Sequence, residues 1–212
     1  MRLKHFLFAA GILLGLCGTA SIYGNDAATG PKNATVLIIR HADKKDPEEK
    51  SDPGLTLVGQ DRAKKYVNYF RPFLDGSGKL TINALFAAED SETSQRPRLT
   101  LEPLAQATGL PLDASIKKEK IEKLVERLKS GAYDGKTILI CWHHGEIPDL
   151  LHLMGADANA LLGGLKWPAD VFGWVVILHF GADGSLQSSK VVNAKLENND
   201  QRDPPKAVMG NQ

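Results

Sequence analysis

Three apolar runs along the chain turn abruptly polar at their carboxyl ends. The first is Val36-Leu37-Ile38-Ile39, followed by Arg40, His41 and Asp43. The second, Ile82 to Ala88, gives way to Glu89-Asp90-Ser91-Glu92-Thr93-Ser94-Gln95-Arg96. The third, Thr137 to Trp142, ends in His143-His144-Gly145-Glu146. Short continuous apolar runs predict strands buried on both faces, as in a parallel sheet. A longer run, Phe172 to Phe180, predicts a fourth strand, and Leu186 to Ala194 an edge strand after the Gly181-Ala182-Asp183-Gly184 turn.

Between these runs the apolar period changes from continuous to helical. Thr56 is a plausible N-cap for a helix whose inner face reads Gly59, Ala63, Tyr66, Val67 and Phe70. A helix over 98–107 turns Leu101, Leu104, Ala105 and Thr108 inward and stops at Gly109. The cleanest stripe lies in 117–129, where Ile121, Leu124, Val125 and Leu128 face one way and lysines and glutamates the other. Pro148 opens a further helix carrying Leu150, Leu151 and Met154. Strands alternating with helices predict right-handed crossovers and a three-layer α/β/α sandwich around a mostly parallel sheet.

Composition changes this picture only at the ends. Arg2 and Lys4 precede the apolar run Phe6–Leu16, and small residues follow, the pattern of a cleaved signal peptide over 1–24. The chain is therefore expected to be secreted or periplasmic. Leu16 is bulky where a lipoprotein signal wants a small residue, which argues against a lipid anchor on Cys17. Residues 25–34 read as a linker, 35–196 as one domain, and 197–212 as a polar, loose tail. Removing 1–24 leaves Cys141 as the only cysteine, so no intrachain disulfide is available. A net charge of +1 argues against nucleic acid as the main partner, and the mature chain carries no membrane-spanning pattern.

Ligands of open α/β sheets bind beyond the carboxyl ends of the strands, and there Arg40, His41, Arg96, His143 and His144 collect. Two arginines and three histidines at one sheet edge make an electropositive pocket suited to a phosphoryl group or inorganic phosphate. Arginine grips its oxygens with two donors, and a neutral imidazole is a competent nucleophile.

These residues carry a resemblance to the histidine phosphatase superfamily, also called the phosphoglycerate mutase-like superfamily. Its matching segments are L-I-I-R-H-A-D at 37–43, G-L-T-L-V-G-Q-D-R-A at 54–63, S-Q-R-P-R-L-T at 94–100 and C-W-H-H-G-E-I-P at 141–148. Four segments in order span nearly all of the mature chain. The resemblance implies a phosphoglycerate mutase-like fold and metal-independent hydrolysis of a phosphomonoester, with no cofactor. It implies a phosphohistidine on His41, with Arg40, Arg96 and a second histidine binding the phosphoryl group.

The second histidine is open. Spacing from Ile147-Pro148 fits His143, whereas the Trp142-His143-His144 context points to His144, which is preferred here. Successive strand side chains take opposite faces, so His144 is expected in the pocket and His143 at its rim. The proton donor is equally open among His143, Glu146, Asp43 and Glu89. His152 and His179 read as packing or surface residues, Cys141 as inert, and Trp142 as a core residue close enough to line the pocket. Two other readings compete with the phosphatase: an inactive relative that binds a phosphorylated or anionic ligand, and a metal-dependent hydrolase using His41, Asp43, His143, His144 and Glu146 as ligands.

Overall fold

The structure is a computed structural model that describes residues 29–44, 52–76 and 78–205. The predicted signal peptide, Cys17 and the first four residues of the linker lie outside the described residues, as do the last seven of the predicted tail. In chain order the elements are β1 (Thr35–Arg40), α1 (Leu57–Tyr69), β2 (Phe73–Leu74), β3 (Lys79–Leu80), β4 (Ala84–Ala88) and α2 (Arg96–Thr108). There follow β5 (Leu112–Ile116), α3 (Ile121–Leu128), β6 (Thr137–Trp142), α4 (Ile147–Leu153), α5 (Ala158–Leu162), β7 (Trp174–Phe180) and β8 (Leu186–Asn193).

Six strands form one sheet in the order β5-β4-β6-β1-β7-β8, and β2 and β3 pair apart from it as a small hairpin. The first four are parallel to one another, whereas β7 runs antiparallel to β1 and β8 antiparallel to β7. The two central strands, β1 and β6, are the most apolar in sequence, and Val36–Ile39 and Ile138–Trp142 are entirely buried. Alternate side chains feed two cores. Leu37, Ile39, Leu139 and Cys141 pack with α1 and α2, and Val36, Ile38, Ile140 and Trp142 with α3, α4 and Trp167. The architecture is the expected α/β/α sandwich.

Three expectations change. Leu112–Ile116 is a parallel edge strand that the sequence reading missed, because its Leu-Asp-Ala-Ser-Ile pattern is neither continuously apolar nor rich in β-branched residues. On α1 the buried face contains Arg62 in place of Val67, which is half-buried. The segment from Glu197 to Arg202 is not loose. Asp200 is buried, and the Trp174 indole donates to the Arg202 carbonyl at 2.8 Å. Specific hydrogen bonds hold a polar sequence in place where apolar burial does not. Among the described residues no helix is long and apolar enough to cross a membrane.

Candidate active site

β1 ends on Arg40 and delivers it fully buried. Its Nη1 donates to the carbonyls of Ala169 at 2.7 Å, Val171 at 3.1 Å and Pro168 at 3.3 Å. The guanidinium carbon lies 3.9 Å from the centroid of the Phe172 ring, a cation–π arrangement. One prong of the fork is thus anchored, while Nε and Nη2 are buried without a protein partner. Burial lowers the Arg40 pKa to about 10, so the group stays charged at neutral pH.

His41 is 1% exposed. Its Nδ1 lies 2.8 Å from the Ala42 carbonyl oxygen, which can only accept. Nδ1 is therefore the protonated nitrogen and Nε2 carries the lone pair. Burial, then the charge of Arg40, holds the imidazole pKa well below 6.5. The ring is neutral, the state a nucleophile requires.

The backbone behind this ring is tied down by α2. The Ala42 amide donates to Thr100 Oγ1 at 2.9 Å, and the Thr100 hydroxyl donates to the Arg96 carbonyl at 2.7 Å. The Cys141 thiol bonds to the same hydroxyl, and burial pushes its pKa up, so it is inert. Arg96 is the first residue of α2, with Pro97 behind it. Its Nη1 and Nη2 reach the carbonyls of Asp52 at 3.4 Å and Thr93 at 3.3 Å, and its Nε is buried without a partner.

β6, the parallel neighbour of β1, supplies both histidines. The His143 ring centroid lies 5.4 Å from that of His41, and the His144 centroid 6.4 Å away, each roughly perpendicular to it. Alternation does not separate them, because the strand stops at Trp142 and the chain turns. The amides of Glu146 and Ile147 both donate to the His143 carbonyl, at 3.2 Å. Of the two, the His143 ring is the nearer to His41. Burial foremost, with Arg40 and Arg96 adding to it, lowers His143 to about 3 and His144 to about 4. His144 Nδ1 is buried without a partner. Four such buried nitrogens, on Arg40, Arg96 and His144, therefore belong to this one site.

The candidate proton donors separate. Both oxygens of Asp43 are taken: Oδ2 accepts from Arg62 Nε at 2.6 Å, and Oδ1 from Asn199 Nδ2 at 2.8 Å. Arg62 holds its carboxyl below the usual range against the effect of burial, so it is ionised and structural, not a proton donor. Burial instead raises the Glu146 carboxyl, with Lys118 Nζ at 3.9 Å. Glu89 lines a cavity of about 640 Å³ whose wall includes His143, Lys118 and three acids not singled out in the sequence, Asp90, Glu92 and Glu119. Trp142 is fully buried and donates to the Lys118 carbonyl at 3.0 Å, so it packs beneath the site and does not line it. His179 pairs with Thr35 at the opposite end of β1, and His152 is exposed on α4. Among the described residues no group of three or more His, Cys, Asp or Glu side chains is placed to hold a metal ion.

Phe172 and the 168–171 loop carry no chemical signature and were not legible as site residues. Their role comes from the direction of β7. Running antiparallel, it brings its amino end, and the loop before it, to the carboxyl edge of β1.

No family model matches the chain, and no curated protein matches its sequence. Solved structures do. A candidate alpha-ribazole-5′-P phosphatase from Escherichia coli superposes with a TM-score of 0.50 at 13% identity, covering 84% of this chain and 99% of that one. The chain shares that fold. The protein histidine phosphatase SixA, complexed with tungstate, aligns at TM-score 0.43 and 18% identity over 74% of this chain and 96% of that one. Phosphoglycerate mutase from Plasmodium falciparum aligns at 0.45 and 15% over 73% and 87%.

Proposed function

We propose that the protein is a metal-independent phosphatase that hydrolyses a phosphomonoester through a phosphohistidine on His41. The observation that carries this reading is the pairing of a neutral, tautomer-fixed His41 with buried, unpartnered guanidinium nitrogens on Arg40 and Arg96. Leaving such donors buried costs free energy, and an oxyanion with several acceptor oxygens satisfies them together.

In the reaction, His41 Nε2 attacks phosphorus in line as the bond to the leaving oxygen breaks. Arg40, Arg96 and His144 hold the non-bridging oxygens, and His143 stands beside the nucleophile. The leaving oxygen takes a proton from Glu89 or Glu146. Water then attacks phosphorus, the P–Nε2 bond breaks, and inorganic phosphate departs. Burial foremost keeps the resting histidines neutral, and Arg40 and Arg96 add to it, so the groups that bind the anion also support nucleophilicity. The segment over 1–24 supports export, for which the mature amino terminus found by mass spectrometry is the test.

Turnover of an aryl phosphate by purified mature protein, with and without EDTA, separates the three readings. EDTA-insensitive turnover is expected, with acid-labile phosphate trapped on the wild type and absent from His41→Ala. Undiminished activity in His41→Ala overturns the assignment. Phosphate binding without turnover identifies the inactive relative, and loss of activity with EDTA the metal-dependent hydrolase. Glu89→Gln and Glu146→Gln are then compared on aryl and alkyl phosphates. The donor is the residue whose loss harms only the alkyl ester, whose leaving group needs a proton.

A further inference from the structure

The buried cluster next to the site uses residues from the end of the chain. Arg62 on α1 is fully buried and ties three carboxylate or amide groups together. Its Nε meets Asp43 Oδ2 at 2.6 Å, its Nη1 meets Asp200 Oδ2 at 2.7 Å, and its Nη2 meets Asn199 Oδ1 at 3.1 Å. Asn199 closes the ring by donating to Asp43 Oδ1 at 2.8 Å. Asp43 is two residues past His41.

Asp200 reaches a second site segment. A side chain at Gly173 would meet its carboxylate at about 2.5 Å, so the carboxylate lies directly on that backbone. Gly173 follows Phe172, the ring against Arg40, and Val171, whose carbonyl accepts from Arg40. Asp200 is itself fixed: its Oδ2 accepts from the amides of Leu196 and Glu197, each at 3.0 Å, and Asn193 Nδ2 donates to its carbonyl at 2.9 Å. The strap 196–202 therefore touches both segments that fix the reacting groups, 40–43 on one side and 171–173 on the other.

We propose that Asn199 and Asp200 are positioning residues, which clamp through Arg62 and Gly173 the two segments holding His41 and Arg40 in register for an oxyanion. The inference rests on the phosphatase reading only for its kinetic readout. A charged network this buried is costly to break on one side, and what it would release is the backbone carrying the nucleophile.

Asn199→Ala and Asp200→Asn test the clamp, with Glu197→Gln as the control within the same strap. The Glu197 side chain bonds Lys65 at 3.0 Å, and its substitution leaves in place the Glu197 amide that donates to Asp200. Three quantities are read for each full-length mature variant: vanadate affinity, kcat on an aryl phosphate, and solvent exchange of the His41 Nδ1 proton held by the Ala42 carbonyl. Both clamp variants are expected to lose vanadate affinity and kcat on the order of tenfold, and to exchange that proton correspondingly faster. Glu197→Gln stays within twofold of wild type. Asn199 is exposed, so Asn199→Ala keeps the test open where Asp200→Asn fails to fold. Clamp variants within twofold of wild type in affinity and exchange overturn the proposal. A wild type that binds vanadate without turnover overturns the phosphatase reading instead and leaves the clamp to be judged on affinity and exchange.

Discussion

Arg40 shows how much one side chain can be asked to do. Three carbonyls hold one of its terminal nitrogens, an aromatic ring faces it, and two nitrogens remain for an anion. A lysine keeps the charge, but its single ammonium cannot both satisfy the 168–171 carbonyls and present a planar fork. Arg40→Lys is therefore expected to lose at least about tenfold in kcat/KM, with vanadate inhibition weakened in parallel. Equal inhibition of mutant and wild type would show that the arginine faces away from the anion. The adjacent histidines make a second residue-scale case. Both rings lie within contact range of His41, so His143→Ala and His144→Ala are each expected to cost on the order of tenfold or more. A near-normal rate in either single variant on an aryl phosphate would remove that residue from the site.

At the scale of elements, the site depends on how closely α1 approaches the loop after β1. A Cβ at Gly59 would stand 2.4 Å from the Asp43 carbonyl oxygen and 3.0 Å from its amide nitrogen. Within a helix, alanine is favoured over glycine by about 1 kcal/mol. Overpacking against backbone costs about 1–3 kcal/mol, and the loop cannot yield without moving Asp43 off Arg62. The clash should win. Gly59→Ala is expected to lower stability in urea and reduce activity, whereas a gain in stability would show that the loop gives way freely. The L-T-x-x-G segment made this glycine visible in the sequence, with Thr56 capping the helix through the Gly59 amide at 3.1 Å. Strand ends were legible for the same kind of reason: a buried run that stops at Arg40-His41 or His143-His144 has one place in a parallel sheet to put its charge. The clamp was not legible. Arg62, Asn199 and Asp200 are ordinary polar residues in sequence, and only folding brings positions 138 residues apart within 2.7 Å. Phe172 escaped because rules for parallel sheets look to carboxyl ends of strands, and β7 presents its amino end.

For the molecule as a whole, the strand order sets the chemistry. β6 lies between β1 and β4 in the sheet, so three imidazoles and two guanidiniums meet at one edge, with Arg40 and His41 buried and Arg96, His143 and His144 half-buried. With no anion bound, burial foremost, and that concentration of basic groups after it, keeps the histidines neutral. Their pKa values lie below the unfolded value near 6.5, at about 3 for His143 and about 4 for His144, and His41 is depressed as well. Between pH 6.5 and about 3 the unfolded chain therefore binds more protons than the native one. Stability contributed by these groups is present above 6.5 and drains away as pH falls through that window. A bound dianion reverses the local field and raises the histidine pKa values, so binding takes up protons there. Sulfate, dianionic throughout the window, is expected to stabilise the protein more at pH 5.5 than at 7.5, with affinity rising several-fold on acidification. Thermal unfolding with and without sulfate at the two pH values measures this directly. In Arg40→Lys the sulfate increment should shrink at both. A wild-type increment that is equal at pH 5.5 and 7.5 would mean that no histidine of the site changes its protonation when the anion binds.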